Sequence, residues 1–236
     1  SLSNITRTIK LLCDRQKVIQ TLKEIVFNKE FNSYEVKHVQ ELVEKHYWIF
    51  GEQYNLITSA EPDFELALKG MIKAEMGIEE EVHIEHPDKN KEMDLYMIRQ
   101  DRQGRVTENV VVELKRPKIK LGEKELSQVK KYMRVIKNTP RFNAGNVKWT
   151  FYLVGNEFDK SLYIPGELES HKFLGEQHLV HCQDNGLTKI YVLKWSEIFD
   201  DYSKRHDFLM EHLKLEEKLW LETHESADDA VTAVEN

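Results

Sequence analysis

The stretch EMDLYMIRQDRQGRVTENVVVELKRPKIKLGEKELSQVKKY, residues 92–132, decides the fold. It contains two short runs of β-branched and aromatic residues, MDLYMI (93–98) and VVVEL (110–114), which are typical of strands. The polar segment between them, RQDRQGR (99–105), carries Gly104 near its middle and predicts a hairpin loop of several residues. The pattern therefore indicates two strands joined as a hairpin.

A helix is predicted directly after the second strand. The segment EKELSQVKKYMRVI (123–136) follows Gly122, and its large apolar residues recur at helical spacing. These residues are Leu126, Val129, Met133 and Ile136. Gln128 and Tyr132 lie one turn apart on a neighbouring face of the same helix, so their side chains are expected to project together.

Three charged residues of the two strands have the chemistry of a metal-dependent hydrolytic site. Asp94 stands at the head of the first strand, and Glu113 and Lys115 lie two apart in the second, so the latter two share one face. Two converging carboxylates hold a hard cation such as Mg²⁺ through their oxygens. A lysine beside them positions or helps to deprotonate an attacking water and neutralises charge on a phosphate. An acid and a base at the edge of a core are costly unless they are paired or liganded, which makes the pattern informative.

The order of these residues resembles the motif of a known nuclease superfamily. D-(x18)-E-x-K followed by Q-x3-Y is similar to the PD-(D/E)xK superfamily, in the branch with a Gln-x3-Tyr helix. Five residues each match a motif position: Asp94, Glu113, Lys115, Gln128 and Tyr132. Met93 stands before the first acid, where the superfamily motif has Pro.

A wider resemblance covers roughly residues 38–200. The run VVVELKRP with its following helix, together with ELVEKHYWIFGEQY (41–54), is similar to the DUF4263 nuclease domain of Shedu bacterial anti-phage defence proteins. This resemblance implies cleavage or nicking of DNA, a bacterial antiviral role and a homo-oligomer.

The resemblance also implies a role for each motif residue. Asp94 and Glu113 are expected to hold Mg²⁺, for which Mn²⁺ substitutes, and the backbone carbonyl of Leu114 adds a ligand. The motif lysine orients the water and stabilises the developing charge. The motif glutamine supports the site or contacts phosphate, and the motif tyrosine buttresses it.

Other interpretations of the same residues stay open at this point. Glu113 and Lys115 are also typical of a solvated cross-strand pair, which contributes little, and Gln128 and Tyr132 of an ordinary polar helix face. A catalytically silent nuclease-like module that binds DNA or regulates is one alternative function, and a metal-dependent RNA nuclease is another. The complete set of acids and lysine argues against the silent module, whereas the motif does not separate DNA from RNA.

The distribution of charge favours a nucleic-acid partner, although the net charge of −7 does not. Between residues 115 and 148 there are two acids, Glu123 and Glu125, and eleven bases. The bases are Lys115, Arg116, Lys118, Lys120, Lys124, Lys130, Lys131, Arg134, Lys137, Arg141 and Lys148. A basic surface beside a candidate metal site suits the tracking of phosphates, and a solvated helix face is the alternative. The expected DNA-binding residues are Arg116, Lys118, Lys120, Lys130, Lys131 and Arg134.

The composition suits one large domain with an additional segment. Apolar residues make up 40% of the 236-residue chain and aromatic residues 10%, enough for a sizeable core. We expect an α/β, restriction-endonuclease-like core with a mixed sheet of about four to five strands flanked by helices. The expected strands lie near 80–86, 93–99, 109–115, 147–154 and 189–195. The expected division is 1–58 for a helical N-terminal region, 59–221 for the nuclease domain and 222–236 for a disordered acidic tail.

The sequence favours a reducing, cytoplasmic location without membrane contact. Cys13 and Cys182 are far apart, and they form neither a zinc motif nor a disulfide framework. No apolar run approaches the roughly 18 residues that span a bilayer. Because the chain begins with Ser1 and not Met, we expect a trimmed form or a piece of a longer protein. A further N-terminal region or partner that senses infection belongs to the same expectation.

Overall fold

A mixed β-sheet forms the centre of the described part of the chain. The structure is a computed structural model that describes residues 2–27, 36–51, 55–59, 94–100, 107–140 and 147–223. The expected strand near 80–86, the centre of the hairpin loop and most of the acidic tail lie outside the described residues.

Eight strands are found in the described ranges. They are β1 (Asn55–Ser59), β2 (Leu95–Gln100), β3 (Thr107–Leu114), β4 (Lys120–Leu121), β5 (Val147–Gly155), β6 (Glu157–Phe158), β7 (Leu179–Gln183) and β8 (Thr188–Lys194). Six of them form the main sheet in the order β1-β2-β3-β5-β8-β7, and β4 and β6 form a separate parallel pair.

The centre of the main sheet is parallel and its edges are antiparallel. Strands β3, β5 and β8 run parallel to each other, whereas β2 runs antiparallel to β1 and β3, and β7 antiparallel to β8. Strands β3 and β5 are buried along nearly their whole length. A parallel strand that is covered on both faces must be apolar on both, which explains why their sequences are almost continuously apolar.

Helices cover both faces of this sheet. They are α1 (Leu2–Phe27), α2 (Val36–Lys45), α3 (Glu123–Lys137), α4 (Tyr163–His171) and α5 (Trp195–Thr223). Val111 of β3 packs into the apolar layer with α3 and α4, while Val110 and Val112 pack into the layer with α1, α2 and α5. In the part of the chain that the structure describes, no helix combines the length and apolarity of a bilayer crossing.

The N-terminal helix is built into the core of the sheet. The ring of Phe27 meets the ring of Phe199 in α5 edge to face, with centroids 5.8 Å apart. Leu22 and Val26 are fully buried in the same apolar layer as the inward residues of β2 and β3. Burial on this scale stabilises the fold by about 1.5–3 kcal/mol for each large aliphatic side chain. The expected boundary at residue 58 falls inside strand β1.

The predicted α/β fold with a mixed sheet, flanking helices and a helical N-terminal segment is confirmed. Four of the expected strands appear as β2, β3, β5 and β8. Strands β1, β4, β6 and β7 were not among the predicted strands. Strand β7 lies at the edge of the sheet and buries only Leu179 and Val180, so its sequence lacks the run of apolar residues that marks a central strand.

Two glycines test how β4 and α4 pack. A Cβ at Gly155, the last residue of β5, would lie 2.7 Å from Leu121 Cδ2 of β4 and 2.9 Å from its Cγ. We expect Gly155→Ala to destabilise the protein by about 1–3 kcal/mol because the buried Leu121 side chain must move.

Gly166, inside α4, has no atom within 4 Å of a Cβ built at its position. We expect Gly166→Ala to stabilise by about 0.5–1 kcal/mol, because alanine loses less backbone entropy in a helix.

Thermal melting of both variants beside the unsubstituted chain measures these effects. A Gly155→Ala variant that melts as high as Gly166→Ala would contradict the packing of β4 on the end of β5.

Candidate active site

The hairpin brings the two candidate metal-binding acids side by side. The pairing of Leu95 with Val112 sets the register, so that Asp94 lies next to Glu113 across the strand pair. Both acids are buried, with 8% and 5% of their surfaces exposed. Asp94 Oδ2 accepts a hydrogen bond of 2.5 Å from the backbone N–H of Leu114. This bond fixes the aspartate at the point where the ladder between β2 and β3 ends.

Lys115 continues strand β3 beyond its last regular residue. Its backbone N–H donates to Val154 O of β5 at 2.8 Å, which extends the parallel ladder. The lysine side chain therefore projects to the same face as Glu113, as predicted from the alternation of the strand. Its Nζ lies 2.6 Å from Glu113 Oε1 and 2.7 Å from Gln128 Oε1.

Helix α3 supplies the two remaining motif side chains. Gln128 Nε2 donates to Glu113 Oε1 at 2.7 Å, and Tyr132 donates its hydroxyl proton to Glu113 Oε2 at 2.8 Å. Gln128 Nε2 also lies 2.7 Å from the Tyr132 hydroxyl. Because residues four apart lie on one side of a helix, both side chains reach the same carboxylate. Each oxygen of Glu113 thus has a donor from α3.

The start of α3 is fixed by its own local contacts. The backbone N–H of Gly122 donates to Glu125 Oε2 at 3.1 Å, which satisfies one of the free donors at the start of the helix. Leu126 and Val129 are buried in the layer beneath the sheet. These contacts set the rotation of α3, so that Gln128 faces strand β3.

The electrostatics of the site keep Tyr132 protonated. Burial raises the pKa of Tyr132 well above its ordinary value of 10.0, and the negative charges of Glu113 and Asp94 raise it further. A protonated phenol donates a hydrogen bond, which is the role that the geometry gives it toward Glu113. The two carboxylates and the ammonium of Lys115 leave one formal negative charge to be balanced in the site.

The oxygen atoms of the site suit a hard divalent cation. The N–H of Leu114 points toward Asp94, and the N–H of Lys115 points to β5. Since the peptide between them is trans, the carbonyl of Leu114 points away from β5 and toward the side of Asp94. The two carboxylates and this carbonyl are all oxygen donors, the ligand type that Mg²⁺ takes, and Mg²⁺ needs few protein ligands because it keeps several waters. Among the described residues, no group of three or more His, Cys, Asp and Glu side chains is arranged to hold a metal.

The expected DNA-binding residues fall into two classes. Four are exposed without an acidic partner in the part of the chain that is described: Arg116, Lys118, Lys131 and Arg134. Lys120 and Lys130 instead face acids. Lys120 Nζ lies 2.9 Å from Glu157, and Lys130 Nζ lies 3.9 Å from Glu167.

The prediction from sequence missed Asn156, which follows the last residue of β5. Its Nδ2 donates to Val26 O of α1 at 2.9 Å and lies 3.4 Å from Pro117 O, in the turn after Lys115. This asparagine connects the N-terminal helix to the turn beside the candidate site. The available signal was its position directly after a parallel strand, where binding residues of α/β sheets tend to lie.

Comparison with known proteins points to the same segment. Residues 69–153 match the family model of the type I restriction enzyme R protein N terminus. All five candidate motif residues, from Asp94 to Tyr132, lie inside the matched range. No curated protein and no solved structure matches the chain. The match relates this part of the chain to restriction nucleases.

The raised pKa of Tyr132 predicts how stability depends on pH. Above pH 10 the unfolded tyrosine loses its proton while the folded one keeps it. The free energy of unfolding should therefore fall by about 1.4 kcal/mol per pH unit for this group. Tyr132→Phe should remove that contribution, and it should also cost about 1–2 kcal/mol at neutral pH because Glu113 Oε2 loses its donor.

Denaturant unfolding between pH 9 and 11 measures this dependence. Tyr191→Phe is the matched comparison, because burial and a hydrogen bond to Glu176 also raise the pKa of Tyr191. An identical pH slope for Tyr132→Phe and the unsubstituted chain would show that Tyr132 is not held protonated.

Proposed function

We propose that this chain is a metal-dependent endonuclease that hydrolyses phosphodiester bonds of DNA. One observation carries the proposal: Glu113, Lys115, Gln128 and Tyr132 form a single hydrogen-bonded group beside Asp94. This group lies at the end of β3, within the segment that matches the restriction enzyme family model.

The residues of the site fit a bound Mg²⁺. Asp94, Glu113 and the carbonyl of Leu114 would hold it, and Mn²⁺ would substitute because the same oxygen donors suit it. When bound, the ion supplies Lewis-acid stabilisation of a phosphate oxygen and lowers the pKa of a bound water. It also balances the negative charge that the two carboxylates leave uncompensated.

Lys115 is the residue that acts on the substrate in this proposal. Its ammonium has three N–H donors, and the described residues use two of them, toward Glu113 and Gln128. The third is available to orient the attacking water or to donate to the scissile phosphate, which stabilises the charge that develops in the transition state. Gln128 and Tyr132 are positioning residues, since both fix Glu113 and Gln128 also fixes the lysine.

Exposed lysine and arginine side chains next to the site support DNA as the substrate. Arg116 and Lys118 follow Lys115 in the turn, and Lys131 and Arg134 lie on the solvent side of α3. Lysine and arginine side chains bind phosphates of any sequence, and they contribute most of non-specific DNA affinity. Lys120 and Lys130 would join this surface by exchanging their glutamate partners for phosphate.

Two alternative functions remain distinct from this one. A silent DNA-binding module has no need of a partly buried lysine and glutamine and a buried tyrosine that all converge on one carboxylate. An RNA nuclease would use the same residues, and cleavage of matched DNA and RNA duplexes separates the two. From the resemblance to Shedu nuclease domains alone, we further propose a role in antiviral defence, carried out by a homo-oligomer.

Substitution of Lys115 tests the assigned chemistry. Lys115→Ala should lower the rate of plasmid nicking or cleavage in Mg²⁺ by about 10²–10⁴-fold, and EDTA should abolish cleavage by the unsubstituted chain. Lys148→Ala is the matched control, because Lys148 Nζ lies 3.0 Å from Glu108, an acid of the same strand that is equally buried.

The control should cut at close to the unsubstituted rate, since Glu108 projects from the opposite face of β3 to Glu113. Thermal melting of both variants excludes a folding defect. If Lys115→Ala and Lys148→Ala cut plasmid equally fast, the role given to Lys115 is wrong.

A further inference from the structure

An exposed apolar side chain stands on the turn that follows Lys115. Ile119 is 39% exposed and lies between Lys118 and Lys120. Its backbone N–H donates to Arg116 O at 2.8 Å, which closes the turn. The hydrogen bond from Asn156 also holds this turn against the end of β5. The isoleucine is therefore presented to solvent on a fixed turn, among basic residues and next to the candidate site.

A second exposed apolar side chain has an unfavourable backbone conformation. Leu162 is 70% exposed and has φ 59° and ψ 14°, in the left-handed region. A branched L-residue is strained there, because its Cβ approaches the following carbonyl. It also occupies the N-cap position of α4 without a capping side-chain bond, where Ser, Asn or Asp would be favoured. Neither the left-handed backbone conformation nor the N-cap position of α4 favours a leucine here.

The two turns belong to one surface. Strands β4 and β6 pair side by side, and the backbone N–H of Asp159 donates to Leu121 O at 2.9 Å. The Asp159 side chain fills the space that a Cβ of Gly122 would occupy, at the start of α3. The turn that carries Leu162 therefore packs against the beginning of the helix that carries Gln128. The turns that carry Ile119 and Leu162 are thus joined through the β4–β6 pair and the start of α3.

We propose that Ile119 and Leu162 are apolar wedges that insert between base steps of duplex DNA and distort it at the catalytic edge. The inference rests on the proposed function. Charge complementarity favours DNA as the occupant, because Arg116, Lys118 and Lys160 are exposed near the two side chains in sequence, while Glu157 is offset by Lys120. Apolar side chains that are flanked by basic residues insert into the minor groove, unstack two neighbouring base pairs and kink the duplex. The kink brings the scissile phosphate down to Lys115.

The wedge also gives the nuclease a preference in substrate. Unstacking costs least at pyrimidine–purine steps, which are flexible, and at mismatched or nicked positions. Deformable duplex DNA is therefore the substrate class that this surface fits, without hydrogen-bond readout of any base.

Fluorescence of 2-aminopurine tests the insertion, since this base brightens when it is unstacked. A duplex that carries it at several positions is titrated with the Lys115→Ala chain in EDTA, so that cleavage does not interfere. Leu162→Asn and Ile119→Asn, each added to that background, should lose most of the fluorescence increase and weaken binding by roughly fivefold or more. Phe173→Asn is the control, because Phe173 is 82% exposed and follows the far end of α4.

The melting temperature distinguishes a loss of DNA insertion from a folding defect caused by the same substitution. Asparagine tolerates the left-handed conformation and caps helices well, so Leu162→Asn should raise the Tm by about 2 °C while it weakens DNA distortion. If the fluorescence increase is equal in Leu162→Asn, Ile119→Asn and Phe173→Asn, the wedge proposal is overturned. The proposed function still stands in that case if the unsubstituted chain, which contains Lys115, cuts plasmid. Failure of that chain to bind or cut DNA overturns the proposed function, and the wedge with it.

Discussion

The burial of the Glu113 carboxylate is the constraint on which the rest of the site depends. An ionised carboxylate with 5% of its surface exposed is costly unless charged and neutral donors satisfy it. Lys115 supplies the charge, and Gln128 and Tyr132 supply the neutral donors. These bonds join strand β3 to helix α3, so the same contacts that neutralise the acid also place the candidate catalytic lysine. Removal of one partner would leave another buried polar group without a hydrogen bond. The free-energy cost of such an unsatisfied group is usually larger than the net contribution of the hydrogen bond itself.

The sheet holds this group in a defined place. The backbone bond from Lys115 to Val154 extends the parallel ladder by one residue and carries the lysine to the carboxyl end of the sheet. Ligands of α/β proteins commonly bind at that end, because the loops that follow parallel strands meet there. Asn156 adds a connection from α1 to the turn after Lys115. The N-terminal helix is therefore mechanically linked to the candidate site as well as packed into the core.

The motif residues could be placed from sequence because local periodicity decides where they point. Strand alternation sets Glu113 and Lys115 on one face, and helical spacing brings Gln128 and Tyr132 to it. Features that depend on distant parts of the chain could not be placed in this way. Lys120 pairs with Glu157 and Lys130 approaches Glu167, both more than thirty residues away, so these ion pairs could not be found from the local sequence. Strand β7 was missed because an edge strand needs few apolar residues.

Calorimetric titration of the DNA-free chain with Mg²⁺ tests the central claim most directly. The account predicts one binding event per chain, which Asp94→Asn weakens by at least about tenfold because it removes a charged oxygen ligand. Glu108→Gln, a change to an equally buried acid on the other face of β3, should leave the Mg²⁺ affinity unchanged. Equal affinities in Asp94→Asn and the unsubstituted chain would contradict the assignment of this site to the metal.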